Sequence, residues 1–301
     1  AQDHQQIKNI AEIIQRVNPD IILLNEFDGN DESHQSLKRF LAQYLAKSQN
    51  GNATIDYPYF YQGPVNTGVA TNYDLNNDNK VGALPNDAYG YGHFSGHFAM
   101  ALLSKYPIDE DKIRTFQMFK WQDMPNALVP ITPETKTPWY SEQAWHNFRL
   151  SSKSHWDIPV SVNGHELHIL ASHPTPPVFD GPENMNGLRN DAEVAFWQYY
   201  IDQNPDIARG DFVITADFNA DPADGAGLKT AINALLDDPR IFDPQPSLDA
   251  QVLAQISQSG INADHQGNPD TDTAFWSDDE VGNLRVDYVL PSASLTVAAS
   301  G

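Results

Sequence analysis

Five polar residues stand where short apolar runs end, or inside one. Glu26 follows the run at 21–24 by two residues, and His173 follows the run at 167–171 by two. Asp217 and Asn219 follow the run at 212–215, and Asp287 lies within the run at 284–290. A buried strand that ends in a polar residue hands that side chain to a cleft, and a carboxylate inside an apolar run is costly to bury unless it binds a metal or accepts hydrogen bonds. Three carboxylates, an amide and an imidazole suit a hard cation such as Mg²⁺. Each residue alone also has an ordinary reading. Glu26 could pair with a lysine, His173 could sit in the Pro-rich turn 173–177, Asp217-Phe218-Asn219 could be an Asx turn, and Asp287 could pair with Arg285 on the same strand face. The spaced set is more specific than any of its members.

Weaker signals lie elsewhere. Asp74, Asn76 and Asp78 place oxygens at positions 1, 3 and 5 of a possible Ca²⁺ loop, but Asn79 and Pro85 stand where an EF-hand needs Gly and Glu. A solvated turn competes with a structural Ca²⁺ site there. Arg189 and Asn190 open a helix after His173, and an arginine at a helix start is a candidate phosphate contact. Lys153, His155 and Trp156 precede the strand that leads to His173, and His93 and His97 are candidates to line a cleft. Asp270, Asp272, Asp278, Asp279 and Glu280 read as a solvated acidic loop.

The elements that must position these residues are legible in outline. Ile7, Ile10, Ile14 and Val17 recur at helical spacing, so 4–17 is a predicted amphipathic helix, stopped by Asn18-Pro19-Asp20. The run 21–24 is apolar throughout, as in a strand covered on both faces. Helices are predicted at 34–47, 187–203 and 225–236, and strands at 98–103, 212–215, 284–290 and 295–297. Asn163-Gly164 between two apolar runs is a strong hairpin signal. Residues 48–96 and 117–147 read as loops, and 257–283 as a polar, acidic stretch. The expected fold class is α/β: two mixed β-sheets packed face to face, with helices outside.

The chain has 301 residues, 40% of them hydrophobic, enough for a sizeable core. No repeat or low-complexity linker divides it, so a single domain over 1–301 is expected. Its 18 Lys and Arg against 40 Asp and Glu give a net charge of −22, which repels phosphate backbones and argues against tight binding to duplex nucleic acid. No apolar run is long enough for a membrane span. With no cysteine there is no disulfide, thiolate nucleophile or Cys-based zinc site. The composition fits a secreted or periplasmic bacterial protein, and a salt-adapted cytosolic one as well. A monomer is expected.

The ordered segments 19–26, Leu103-Ser104-Lys105-Tyr106-Pro107-Ile108, Ala171-Ser172-His173, Ala216-Asp217-Phe218-Asn219 and Leu284-Arg285-Val286-Asp287-Tyr288 resemble the endonuclease/exonuclease/phosphatase superfamily of metal-dependent phosphohydrolases. The resemblance runs from about residue 7 to 297. It implies a four-layer α/β sandwich and hydrolysis of a phosphate ester by water attack on phosphorus, with Mg²⁺ or Mn²⁺. It implies that Glu26 binds metal, that Asp217 orients or deprotonates the attacking water, and that Asn219 contacts the scissile phosphate. His173 would contact phosphate or help protonate the leaving group, and Asp287 would orient a catalytic histidine. The family's first strand carries an asparagine that supports the metal, and its last motif is Ser-Asp-His. Residues 1–301 hold neither, so this chain is expected to lack the first and last strands of the fold. The substrate class stays open between nucleic acid, a phospholipid head group and a small organic phosphate. The rival reading is a catalytically inactive binding or scaffold protein on the same fold.

Overall fold

The computed structural model describes residues 4–29 and 33–301. In chain order the strands are β1 (Ile21–Asn25), β2 (Tyr59–Tyr61), β3 (Met100–Ser104), β4 (Arg114–Thr115), β5 (Ile131–Thr132), β6 (Thr137–Pro138), β7 (His155–Val162), β8 (His165–Ser172), β9 (Phe212–Asp217), β10 (Ala274–Phe275), β11 (Asn283–Leu284) and β12 (Asp287–Pro291). The α-helices are α1 (Gln5–Val17), α2 (Gln35–Phe40), α3 (Glu142–Asn147), α4 (Met185–Gln203), α5 (Pro205–Arg209), α6 (Thr230–Leu236) and α7 (Ala250–Leu253). Two sheets dominate: a smaller one in the order β1-β3-β2 and a larger one in the order β12-β9-β8-β7-β4.

Strand alternation sorts the side chains into layers. From β1 and β3, Ile22, Leu24, Ala101 and Leu103 point to one face, where they pack with Ala11 and Ile14 of α1 and Leu37 and Phe40 of α2. Their neighbours Ile21, Leu23, Met100 and Leu102 point to the other face, against Trp156, Ile158, Ile169 and Ala171 of the larger sheet. The far face of that sheet offers Leu170, Ile214, Ala216 and Leu290 to Val194, Trp197 and Ile201 of α4. The order is therefore helix, sheet, sheet, helix. The apolar run at 21–24 lies between two packed layers, which is why it shows no polar face.

Local signals fix much of this. Asn18 takes a left-handed conformation and its N–H closes α1 onto Ile14 O at 2.8 Å. Asn163 and Gly164 both have positive φ, the turn that the twist of β7 and β8 requires. Ser141 caps α3 by accepting from Ala144 N at 3.1 Å.

Some expectations are corrected. Only the larger sheet is mixed: β8 and β9 run parallel, while β1, β2 and β3 are antiparallel throughout. The run 284–290 is not one strand. It breaks between β11 and β12 because Arg285 N donates to Asp221 Oδ2 and Val286 N donates to Thr273 Oγ1, not to a neighbouring strand. Residues 295–297 form no strand, and α6 begins at Thr230, after the left-handed Gly225. The loop 34–47 is helical as expected, but its second half, Leu41–Leu45, is a π-helical turn.

Candidate active site

Register across the larger sheet builds the site. His155 of β7 pairs with Ser172 of β8, Ser172 with Ala216 of β9, and Ala216 with Tyr288 of β12. One residue further along, His173 leaves β8, Asp217 ends β9, and Asp287 begins β12 directly opposite Asp217. Three residues separated by 44 and 70 positions in the chain thus emerge from one end of one sheet. His173 Nε2 lies 3.5 Å from Asp217 Oδ2. Glu26 comes from the other sheet, just past β1, at a φ of 56°. A non-glycine residue there is uncommon, and such conformations gather at functional sites. Beside β1, the facing surfaces of β9 and β12 leave a groove of about 520 Å³ lined by Ile21, Leu23, Val213 and Val289, together with Asn25 and Asp287.

The electrostatics follow from crowding. Burial, then the charge of Asp287, and also that of Glu26, push the Asp217 carboxyl up to about 7; the Asn219 N–H and Lys153 oppose them. Burial raises Asp287 too, against the Thr273 hydroxyl. His173 is buried, and burial followed by the nearby charge of Lys153 holds it well below the usual imidazole range, so it is neutral. Its Nδ1 has no hydrogen-bond partner among the described residues. Among the described residues no histidine hydrogen-bonds Asp287.

The loops that carry these groups are braced from below by α4. Asn190 Nδ2 donates to the carbonyls of Thr175 and Phe218, both at 2.8 Å, tying the His173 loop to the Asp217 loop. The Glu193 carboxylate accepts from Ser152 N at 2.5 Å and Thr175 N at 2.7 Å. Asn219 N donates to Asp217 Oδ1 at 2.8 Å, the Asx turn foreseen in the sequence, and Asn219 Nδ2 donates to Pro174 O at 3.1 Å.

Arg189 is corrected. It is buried, and its guanidinium donates to the carbonyls of Leu150, Tyr89 and Arg149 over the ring of Phe148. A cation so committed braces loops and is not open to a phosphate. His155 is also structural: Ser151 Oγ lies 2.7 Å from Nδ1 and Glu193 O 2.9 Å from Nε2, and burial pulls it down to about 3. His93 and His97 join an aromatic stack with Phe94 and Phe98. The residues that sequence reasoning missed are Asn190 and Glu193 as braces and Thr273 beside Asp287. For Asn190 and Glu193 the signal was polarity on an otherwise apolar helix face, visible only once that face is known; Thr273 lies in the loop before β10.

The donor set fits a hard divalent cation at Glu26. Glu26 is exposed and makes no ion pair or hydrogen bond among the described residues, and the neighbouring Asn25 Oδ1 is a buried oxygen with no hydrogen-bond partner. Among the described residues no three His, Asp or Glu side chains converge on one point. A Mg²⁺-like ion takes one or two carboxylates and fills its sphere with water and substrate oxygens, and Glu26 is the carboxylate that would hold one. In the Asp74 loop, Asn76 Oδ1 is likewise a buried oxygen with no hydrogen-bond partner among the described residues. Asp74 accepts the N–H groups of Asp78 and Asn79, and Asp78 accepts the N–H and the ammonium of Lys80. The carboxylates of Asp74 and Asp78 are turned onto their own backbone, as in a solvated turn.

The model of the Endonuclease/Exonuclease/phosphatase family matches residues 1–301. The chain belongs to that family. A solved family structure from Beutenbergia cavernae, an endonuclease/exonuclease/phosphatase, is similar at 15% identity and a TM-score of 0.54 over 99% of this chain. This chain spans 62% of that protein's length. Sphingomyelinase C from Streptomyces griseocarneus is similar at 14% identity and a TM-score of 0.47, covering 98% of this chain and 80% of its own. The mannosyl-6-phosphatase of Bacteroides thetaiotaomicron is similar at 12% identity and a TM-score of 0.46, covering 96% and 77%. No curated protein sequence matches the chain. Family membership accounts for the α/β sandwich. No helix among the described residues is long and apolar enough to cross a membrane.

Proposed function

We propose that this family member is a divalent-metal-dependent phosphoric ester hydrolase that prefers diesters to monoesters. The observation that carries the reading is the Asp217 carboxylate, raised to about 7, 3.5 Å from a buried neutral imidazole and opposite a second carboxylate. A carboxylate whose pKa lies near the working pH is suited to take a proton from an attacking water. Asp217 holds and deprotonates that water, and the Asn219 N–H fixes the carboxylate's direction. His173, neutral at working pH, donates an N–H to a phosphate oxygen and does not act as a fixed imidazolium. Asn219 follows Asp217 closely enough to touch the same phosphate. Asn190 and Glu193 keep the His173 and Asp217 loops at one spacing through the reaction. Glu26, with Asn25, would hold the cation, which when bound would neutralise charge on the phosphate and the leaving oxygen.

The preference for a diester rests on charge. Asp217 faces Asp287 and feels the charge of Glu26, so a monoanionic diester meets less repulsion here than a dianionic monoester.

The test is hydrolysis of a chromogenic phosphodiester beside its monoester, with Mg²⁺, Mn²⁺ or Ca²⁺ and with EDTA. Metal-dependent turnover, faster on the diester and absent in Asp217→Asn, supports the reading. Turnover that survives in Asp217→Asn refutes the role of Asp217.

A further inference from the structure

Lys153 is the one buried lysine among the described residues, at 6% exposure. Its ammonium makes no hydrogen bond and no ion pair among them. That is an unusual state for a cation. The side-chain stem is buried while the ammonium nitrogen keeps contact with solvent, which leaves it open to a ligand.

Its position shows where the partner belongs. Lys153 lies two residues before β7, whose His155 pairs with Ser172 of β8, and the adjacent Ser152 donates its hydroxyl to His173 O at 3.4 Å. The backbone there is held on both sides: Lys153 O accepts from Asn66 N at 2.9 Å, and Ser152 N donates to Glu193. The charges of Glu193, Asp217 and Glu26 all act on the ammonium, and the ammonium acts on His173. The lysine therefore stands among the site residues, yet none of their carboxylates reaches it. A tetrahedral oxyanion at Asp217 and His173 would fill that gap.

We propose that Lys153 is a substrate-binding residue of this site, its ammonium hydrogen-bonding a non-bridging oxygen of the phosphate ester. The inference rests on the hydrolase reading and adds to it a fixed positive charge that belongs to the chain itself. An ammonium suits this place because it meets a phosphate oxygen as a compact point charge with three donors. It also gives a strongly acidic protein a local attraction for an anion that does not depend on the bound cation.

The experiment uses inorganic phosphate as the probe, titrated into the whole chain in EDTA and followed by ³¹P NMR, for wild type, Lys153→Met, Lys153→Arg and Asp217→Asn. Wild type binds phosphate, and Lys153→Met weakens binding by about tenfold or more, as expected for loss of one charge-assisted hydrogen bond. Lys153→Arg retains part of the affinity. Asp217→Asn binds phosphate at least as well as wild type while losing turnover. Lys153→Met melts no lower than wild type, because a cation without a partner among the described residues has been removed, and Lys153→Gln carries the same binding expectation if the Met variant does not fold. Unchanged phosphate affinity and KM in Lys153→Met, beside an inactive Asp217→Asn, overturns the role of Lys153 and leaves the hydrolase reading intact. A wild type that neither binds phosphate nor hydrolyses any phosphate ester overturns both.

Discussion

Asp217 and Asp287 face each other as cross-strand partners at the end of β9 and the start of β12. Like charges directly opposite on a sheet repel, and here both carboxyls are raised from their ordinary range by burial, Asp217 to about 7. The pairing costs stability, and it supplies a carboxylate that exchanges a proton near neutral pH.

Asp217→Asn separates those two consequences. Turnover should fall by about 10²–10⁴-fold, the usual worth of a general base. Stability should move the other way. The folded-state pKa lies above the ordinary carboxylate value, so ionisation of Asp217 disfavours the fold. The penalty is absent below about pH 4, grows between about pH 4 and 7, and is complete above 7. Thermal unfolding of the metal-free protein should show Asp217→Asn more stable at pH 8, by about 4 kcal/mol, and nearly the same at pH 4. A variant less stable than wild type at pH 8 would contradict this account.

His168 supplies a pH dependence of opposite origin, far from the chemistry. Burial depresses it, but the hydrogen bond to the buried Asp157 at 2.6 Å, the charge of Asp157 and the nearby Glu166 outweigh burial and raise it. Protonated His168 therefore favours the fold. Its contribution is full below the ordinary imidazole pKa of about 6.5 and is lost as pH rises through the higher folded value. His168→Gln should flatten the decline in melting temperature from pH 6 to 8 and leave kcat unchanged, as read by thermal scans and the diester assay.

Asn190 is fully buried and joins the two loops of the site. Asn190→Ala leaves the Thr175 and Phe218 carbonyls without their donor and should destabilise the protein by about 1–3 kcal/mol. Because those loops carry His173 and Asp217, kcat should fall more than KM rises. Denaturant unfolding and steady-state kinetics on the same preparation check both parts.

Glu26→Gln removes a carboxylate from the proposed cation site without touching the core. Divalent-ion affinity measured by calorimetry should drop by at least about 10–100-fold, the range seen when even outer partners of a metal site are lost. Melting temperature in EDTA should not change. Equal Mg²⁺ and Mn²⁺ affinity in wild type and variant would remove Glu26 from the metal's ligands.

The sequence by itself determined those features set by neighbours along the chain. Helical spacing marked α1, Asn163-Gly164 marked the β7–β8 turn, and unbroken apolar runs marked strands covered on both sides, because each depends on local backbone preference or on burial at a fixed period. It also marked Glu26, His173, Asp217 and Asp287, since a polar residue at the end of an apolar run stands out in one dimension. Tertiary structure decided the rest. Only the parallel pairing of β8 with β9 sets His173 beside Asp217, and only the antiparallel return of β12 sets Asp287 opposite. Folding buried Arg189 as a brace and left Lys153 unpaired among the site's carboxylates. Arg189 lies in the second turn of α4 and Lys153 precedes a strand, and their spacing in the chain gives neither outcome. A charged group's role is set by what surrounds it once water is removed, and those surroundings come from segments far apart in the chain.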